Sequence, residues 1–262
     1  MTPNIIFSGY DDRQSSGFNV FAHSVWRHSG GRVDVVPLRH KLLRDKGIFK
    51  RPWKIGETGQ FVDLVDGKPF STQFSHTRFL VPWLARQLGL KGMVAFMDGN
   101  DFLCLGDPTP LFHSLDYEDS YKPVHVVKHE YHVAENLKMD GMNNAAYPKK
   151  NWSSMMLFEV DHPSLDILEP GYVNTVDGGQ MHQFKWLQEG EIGSLPSKWN
   201  HLVGETLSST APIMAHFTHG IPIHKGYEDG PLAWLWKNEY EASKNWTPTP
   251  SIKMENLNDY RY

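Results

Sequence analysis

Short apolar runs and helically spaced apolar residues follow one another along the chain. Residues 4–7 (NIIF) are apolar and break at Ser8-Gly9, which predicts a first strand running into a loop. Residues 18–28 (FNVFAHSVWRH) place apolar side chains at 18, 21, 22, 25 and 26, and Gly30-Gly31 follows, so this is a helix with its stop signal. Residues 33–38 (VDVVPL) predict a second strand, and Pro37 assigns it to an edge or a strand end. Residues 39–72 lack a clear period and read as an insertion, with a small hairpin at 61–69 turning on Asp66-Gly67. A helix is expected over 74–88, broken or kinked at Pro82. Residues 93–97 (MVAFM) are apolar throughout, as in a buried parallel strand. Strands follow at 124–128 and 154–160, with a polar loop over 130–150 between them. A helix at 179–187, a strand at 212–217, a helix at 231–240 and a polar surface tail at 244–262 complete the chain. Alternating strands and helices predict an α/β protein with a mostly parallel central sheet flanked by helices. No linker or repeat interrupts the pattern, so residues 1–262 read as one domain.

Composition narrows the function classes. Lys plus Arg number 26 and Asp plus Glu 30, a formal charge of −4, which lacks the basic footprint of a nucleic-acid binder. A nucleotide needs only a few cations and backbone N–H groups, so nucleotide binding stays open. One cysteine, Cys104, excludes an internal disulfide framework and a cysteine-rich zinc site. The first residues lack the basic region and apolar run of a signal peptide, and no run of ~18 apolar residues exists to span a membrane. The expectation is a soluble cytoplasmic protein of undetermined oligomeric state. Nine Trp, ten Tyr, fourteen Phe and fourteen His make the chain rich in rings that suit sugar faces and bases as well as cores.

Ligands of open α/β sheets bind beyond the carboxyl ends of the strands. The first strand ends on Gly9-Tyr10-Asp11, the 93–97 strand on Asp98-Gly99-Asn100-Asp101, and the last strand carries His216 into Thr218-His219-Gly220. Carboxylates at the end of a buried strand repel one another unless a cation joins them. Oxygen ligands suit Mg²⁺ or Mn²⁺, and an imidazole biases the choice to Mn²⁺. The same Asp-Gly-Asn-Asp is also what a tight turn looks like.

The stretch FMDGNDFLCLGDPTPLF resembles the Asp-x-Asp segment of nucleotide-sugar glycosyltransferases of the GT-A fold, especially family 8 and its bacterial and phage relatives. IIFSGYDDR, FSHTRFLVPWL, YPKKNWSSMMLFE, HQFKWLQEGEIGSLPSKWNHLVGE and AHFTHGIP resemble further pieces of the family in the same order, over about residues 4–226. One departure stands out: Asp98-Gly-Asn-Asp101 is one residue longer than Asp-x-Asp, a bulge that Gly99 permits. Counting forward from the strand selects Asp98, and counting back from Gly106-Asp107 selects Asp101.

The resemblance implies a metal-dependent transferase moving a sugar from a nucleoside-diphosphate sugar, UDP-sugar by analogy, to a glycan, a lipid-linked or another hydroxyl acceptor. It implies Mn²⁺ or Mg²⁺ on Asp98, Asp101 and His216. It puts the donor against Gly9, Tyr10, Asp11, Arg78, Asp98, Gly99, Asn100, Gly220 and Lys225, with Tyr10 stacking on the base. Asn151, Ser153 and Ser154 line its sugar pocket, and Trp152 serves either a sugar face or the core. Glu189 and Glu191 are the acidic candidates for a catalytic base if the anomeric centre inverts. Retention, the outcome in family 8, needs none, because the leaving phosphate can take the proton. Two rival classes stay open: a metal-dependent phosphohydrolase or nucleotidyltransferase, for which no DxDxT or GxxxxGK[ST] is present, and a non-catalytic sugar-binding protein.

Overall fold

The computed structural model describes residues 4–57, 59–113, 121–130, 149–207 and 210–260. Its strands are β1 (Asn4–Tyr10), β2 (Val33–Arg39), β3 (Trp53–Ile55), β4 (Phe61–Asp63), β5 (Pro69–Phe70), β6 (Met93–Met97), β7 (Phe102–Cys104), β8 (Val124–Val126), β9 (Met155–Glu159), β10 (Ile192–Ser194), β11 (His201–Leu202) and β12 (Met214–His216). Its α-helices are α1 (Ser15–Ser29), α2 (His40–Asp45), α3 (Val81–Gln87), α4 (Pro170–Thr175), α5 (Gly178–His182) and α6 (Ala233–Ser243).

Six strands form the central sheet in the order β10-β8-β9-β6-β1-β2. All neighbours run parallel except β9, which is antiparallel to both β6 and β8. Both faces of the sheet are covered. Ile5, Phe7, Val36 and Leu38 join one core, and Ile6, Val33, Val35, Ala95 and Met97 join the other. Successive side chains of a strand point to opposite faces, so burying both faces demands the continuous apolar runs seen at 4–7 and 93–97. Pro37 is tolerated because β2 is an edge strand.

α1 spans the expected helix and ends where Gly30 adopts φ +60°, its N–H and that of Gly31 capping Arg27 O and Trp26 O. Pro82 opens α3 after a 3₁₀ turn at Thr77–Leu80, so the expected break is a helix start. The helix expected over 179–187 ends early: α5 stops at His182, and Phe184 has φ +56°. The insertion is more ordered than its sequence suggests. It holds α2 and the antiparallel sheet β3-β4-β5, whose β4–β5 turn contains Gly67 at φ +73°. The tail does not simply lie on the surface. Met254 and Leu257 are buried, Tyr260 packs edge-on against Trp83 at 5.4 Å, and Trp246 packs on Trp26 and His23. Of the loop expected over 130–150, residues 131–148 lie outside the described residues. No described helix is long and apolar enough to cross a membrane.

A second small sheet, β11-β12-β7, sits beside the carboxyl end of β6. β12 runs antiparallel to β7, with His216 opposite Phe102. That register brings the last strand to the loop between β6 and β7.

Candidate functional site

The chain leaves β6 at Met97 and enters β7 at Phe102, so Asp98–Asp101 form a tight loop at the carboxyl end of the sheet. Backbone crowding sets its shape. A Cβ on Gly99 would lie 1.6 Å from Ser8 Oγ, and one on Gly17, in the first turn of α1, would lie 2.0 Å from Asn100 O. Asn100 is buried. With its amide oriented to suit its neighbours, Nδ2 donates to Gly9 O (3.3 Å) and Oδ1 accepts from Asp11 N–H (3.2 Å). Gly99 and Asn100 thus stitch the loop to the end of β1, a structural task where the family resemblance implied donor contact.

The two aspartates of the loop face outward from this seam and meet His216. One ligand atom from each of Asp98, Asp101 and His216 lies within 4.8 Å of the others. His216 Nε2 is 3.4 Å from Asp101 Oδ2, its ring stacks on Phe102 at 4.3 Å, and the next N–H, that of Phe217, donates to Asp101 O (2.8 Å).

Asn200, fully buried, sets the chemistry of that imidazole. Its Nδ2 donates to Ser154 Oγ (2.9 Å) and reaches Asn151 O (3.4 Å), so its Oδ1, 2.9 Å from His216 Nδ1, must be an acceptor. His216 therefore carries a proton on Nδ1, and Nε2 is the ring nitrogen turned toward the aspartates. Asp101 Oδ1 is buried with no hydrogen-bond partner among the described residues. A buried acceptor oxygen beside an imidazole nitrogen and a second carboxylate is an arrangement that a cation would satisfy. Two carboxylates and one neutral imidazole suit Mn²⁺ or Mg²⁺. Asn200 falls inside the family-like stretch HQFKWLQEGEIGSLPSKWNHLVGE, but its role is not legible from the sequence, because its partners Ser154 and His216 lie elsewhere in the chain.

Arg78, almost fully buried, supplies the positive charge on the other side. Its Nη1 lies 2.9 Å from Asp98 Oδ1 and donates to Ser153 O (2.8 Å), while Asp98 N–H donates to Ser154 O (2.9 Å). Asn151 adopts φ +61°, and its carbonyl accepts from Ser154 Oγ (2.6 Å). Asn151, Ser153 and Ser154 therefore border the three convergent groups. Ser153 Oγ itself bonds His182 Nδ1 (2.8 Å). Trp152 donates to His129 O (3.2 Å), and the ammonium groups of Lys128 and Lys149 lie over its ring.

The loop after β1 is differently committed. Asp11 is fully buried, and its oxygens accept from Arg13 N–H, Nε and Nη2 and from Gln73 N–H. Burial alone would push its carboxyl up, but these hydrogen bonds outweigh it and hold the group below its ordinary value. Asp11 orders the loop with its side chain rather than offering it to a ligand. Tyr10 packs edge-on to Phe18, and the Arg39 guanidinium covers its ring at 4.1 Å. Gly9 lies against Phe74 and Gly220 against Tyr227. Lys225 is exposed on the loop after His216, with no ion pair among the described residues.

Glu189 and Glu191 do not join the site. Ile192 pairs with Val124, which pairs with Phe158, which pairs with Val94, so Glu191 lies level with the start of β6. The aspartates lie past its end, on the order of 13 Å along the strand. Glu191 closes a capping box with Gln188 and bonds Ser164 Oγ, and these contacts, led by Ser164, lower its carboxyl. Glu189 is exposed and pairs with Lys149 Nζ at 2.7 Å. The resemblance made each a candidate base for inversion, but the parallel pairing of β10 with β8 carries Glu191 to the other end of the sheet, and Glu189, among the described residues, touches the segment before Asn151 only through Lys149.

Comparison with known proteins agrees with this architecture. No family model matches the chain. Among solved structures, the glycosyltransferase GlyE of Streptococcus pneumoniae TIGR4 is similar with a TM-score of 0.53 at 17% identity over 91% of this chain. The bifunctional glycosyltransferase WbbM is similar with a TM-score of 0.52 at 12% identity, again over 91% of the chain. The chain spans 60% and 52% of those two structures. At such identities the likeness establishes the fold alone, and it is the α/β architecture with a mostly parallel central sheet that the resemblance implied. A curated relative is much nearer in sequence: it is 38% identical over 244 residues, covering 91% of this chain and 86% of its own length. On that identity and coverage, the chain belongs to the family of Protein CDI of Arabidopsis thaliana.

Proposed function

We propose that this protein is a metal-dependent glycosyltransferase, family 8-like, that moves a sugar from a nucleoside-diphosphate sugar such as a UDP-sugar to a hydroxyl of a glycan or lipid-linked acceptor. The observation that carries this reading is the convergence of Asp98, Asp101 and His216 at the carboxyl end of the sheet, with Asp101 Oδ1 buried and unpartnered and His216 Nε2 turned toward it.

In the transfer the bond between the anomeric carbon and the β-phosphate oxygen breaks, and a bond to the acceptor oxygen forms. A divalent cation on Asp98, Asp101 and His216 would offset the negative charge that develops on the departing diphosphate. The chain's own residues prepare that site. Asn200 holds the His216 tautomer, and Arg78 fixes Asp98 through the ion pair while bracing Ser153 O. Lys225 is exposed and can add charge to the diphosphate. Asp98 is engaged by Arg78, and Glu191 sits at the opposite end of the sheet, so neither is placed as an acceptor base. This favours retention, in which the acceptor proton passes to the leaving phosphate oxygen.

Calorimetry of UDP against the protein in Mn²⁺ and in EDTA tests the reading. Binding is expected in Mn²⁺ and lost in EDTA. Equal affinity in both would remove the metal from the site, and the transfer chemistry with it.

A further inference from the structure

β9 lies between β6 and β8 and runs against both, so β6 and β8 point the same way. The chain leaving Val126 therefore emerges at the end of the sheet where Asp98 stands. His129 lies there. Its carbonyl accepts from Trp152 Nε1 (3.2 Å), which ties it to the segment carrying Asn151. Its Nε2 is buried and has no hydrogen-bond partner among the described residues, and the same is true of Asn151 Nδ2. The Asn151 carbonyl, in turn, accepts from the Asn200 amide that holds His216. His216, Glu205 and His201 are among the ionisable neighbours of His129.

These two buried nitrogens lack hydrogen-bond partners in the network around the candidate cation site, as does Arg78 Nε. Leaving such a group unpaired costs about 1–3 kcal/mol, so a missing partner is the natural explanation for both. The chemistry of the pair indicates which partner. An uncharged imidazole and a carboxamide both donate to and accept from hydroxyls, whereas a phosphate calls for cations. Burial pushes the His129 imidazole down to about 4, which keeps it uncharged at neutral pH. A sugar joined to a diphosphate on the cation would lie within reach of both.

We propose that His129 and Asn151 form a hydroxyl-binding edge of the donor-sugar pocket, with His129 the residue that discriminates among hexoses. This rests on the glycosyltransferase reading above. A site that hydrogen-bonds a hydroxyl rejects analogues that lack or invert it, because its own buried groups are then left unpaired.

The test is calorimetry in Mn²⁺ with UDP, UDP-glucose, UDP-galactose and UDP-N-acetylglucosamine, on wild type, His129→Ala and His129→Gln. The ratio of UDP-sugar to UDP affinity is expected to fall by about 10-fold in His129→Ala for the preferred sugar, the loss of one good hydrogen bond. His129→Gln should recover part of it, and the affinity for UDP should stay as in wild type. Equal weakening of UDP and all three sugars, or an unchanged ratio for all three, overturns the proposal while leaving the transferase reading intact. Weaker Mn²⁺ binding by His129→Ala without nucleotide would make His129 a metal ligand and also overturns it. Absence of Mn²⁺-dependent UDP binding in wild type removes the transferase reading and this proposal together.

Discussion

Two of the buried polar clusters among the described residues are satisfied in opposite ways. Beside the small β3-β4-β5 sheet, Arg51 is 1% exposed. Its Nε and Nη2 bond Asp63, its Nη1 donates to the carbonyls of Val173 and Val176, and Asp66 stands 3.7 Å from Nη2. Asp66 accepts in turn from Gly178 N–H and Lys68 N–H. Each charge there meets an opposite charge or a backbone partner, and the cluster joins the insertion to α4 and α5. At the β6–β7 loop, by contrast, two carboxylates and a histidine ring nitrogen face one another, and Asp101 Oδ1 is left with nothing. Saturation of the first cluster serves the fold, and the deficit in the second is what the proposed metal site rests on.

Breaking each cluster should therefore fail differently, and this sets the largest expected effect. Arg51→Ala leaves Asp63 buried and uncompensated and should cost about 3–5 kcal/mol in urea unfolding. Asp101→Ala, in a half-exposed loop that leaves no core cavity, should melt near wild type yet lose Mn²⁺-dependent UDP binding in calorimetry. If Asp101→Ala unfolds as readily as Arg51→Ala, the contrast between the clusters is wrong.

His216 sharpens the comparison by metal type. His216→Ala should weaken Mn²⁺ more than Mg²⁺, titrated in the presence of UDP, because Mg²⁺ relies on oxygen and loses less. Equal losses would take the imidazole out of the ligand set. A smaller effect is expected one shell further out. Asn200→Leu removes the acceptor that fixes the His216 tautomer and should weaken Mn²⁺ by about 10–100-fold. A thermal melt on the same sample separates that loss from misfolding.

The smallest expected effect is a gradual one with pH. Burial lowers His40 to about 4, with Arg44 adding to it, and lowers His76 to about 3, with Arg51 adding to it; burial likewise takes His129 to about 4. All three fold uncharged. Unfolded imidazoles take up protons from about pH 6.5 downward while the folded ones resist, so the stability they confer is present above ~6.5 and lost as pH falls toward 4 and 3. Melting temperatures measured from pH 7.5 to 4 should fall most steeply below 6.5. His76→Gln should flatten that slope, and an unchanged slope would show that His76 titrates freely in the folded chain.

Much of the frame is legible in the residues. The apolar runs at 4–7 and 93–97, the Gly30-Gly31 stop and the Asp66-Gly67 turn each act through neighbours in the chain, and the fold places all of them as their local chemistry requires. Where local signals are ambiguous the reading slips. α2 lies inside a stretch without clear period, α5 ends short because Phe184 takes a left-handed conformation, and the polar tail is held down by Met254, Leu257 and Tyr260 against distant surfaces.

The sequence by itself determined the α/β class, since apolar periodicity is written locally, and through the family resemblance it offered Asp98, Asp101 and His216 as candidates for a metal site. Only the tertiary structure decided the rest. Strand pairing brought His216 opposite Phe102 and carried Glu191 to the far end of the sheet. Close backbone contacts turned Gly99 and Asn100 into a seam. Asn200 and His129 became part of the site through partners that lie far away in the chain. Which buried polar atom finds a partner, and which is left without one, depends on distances that exist only once the sheets have formed.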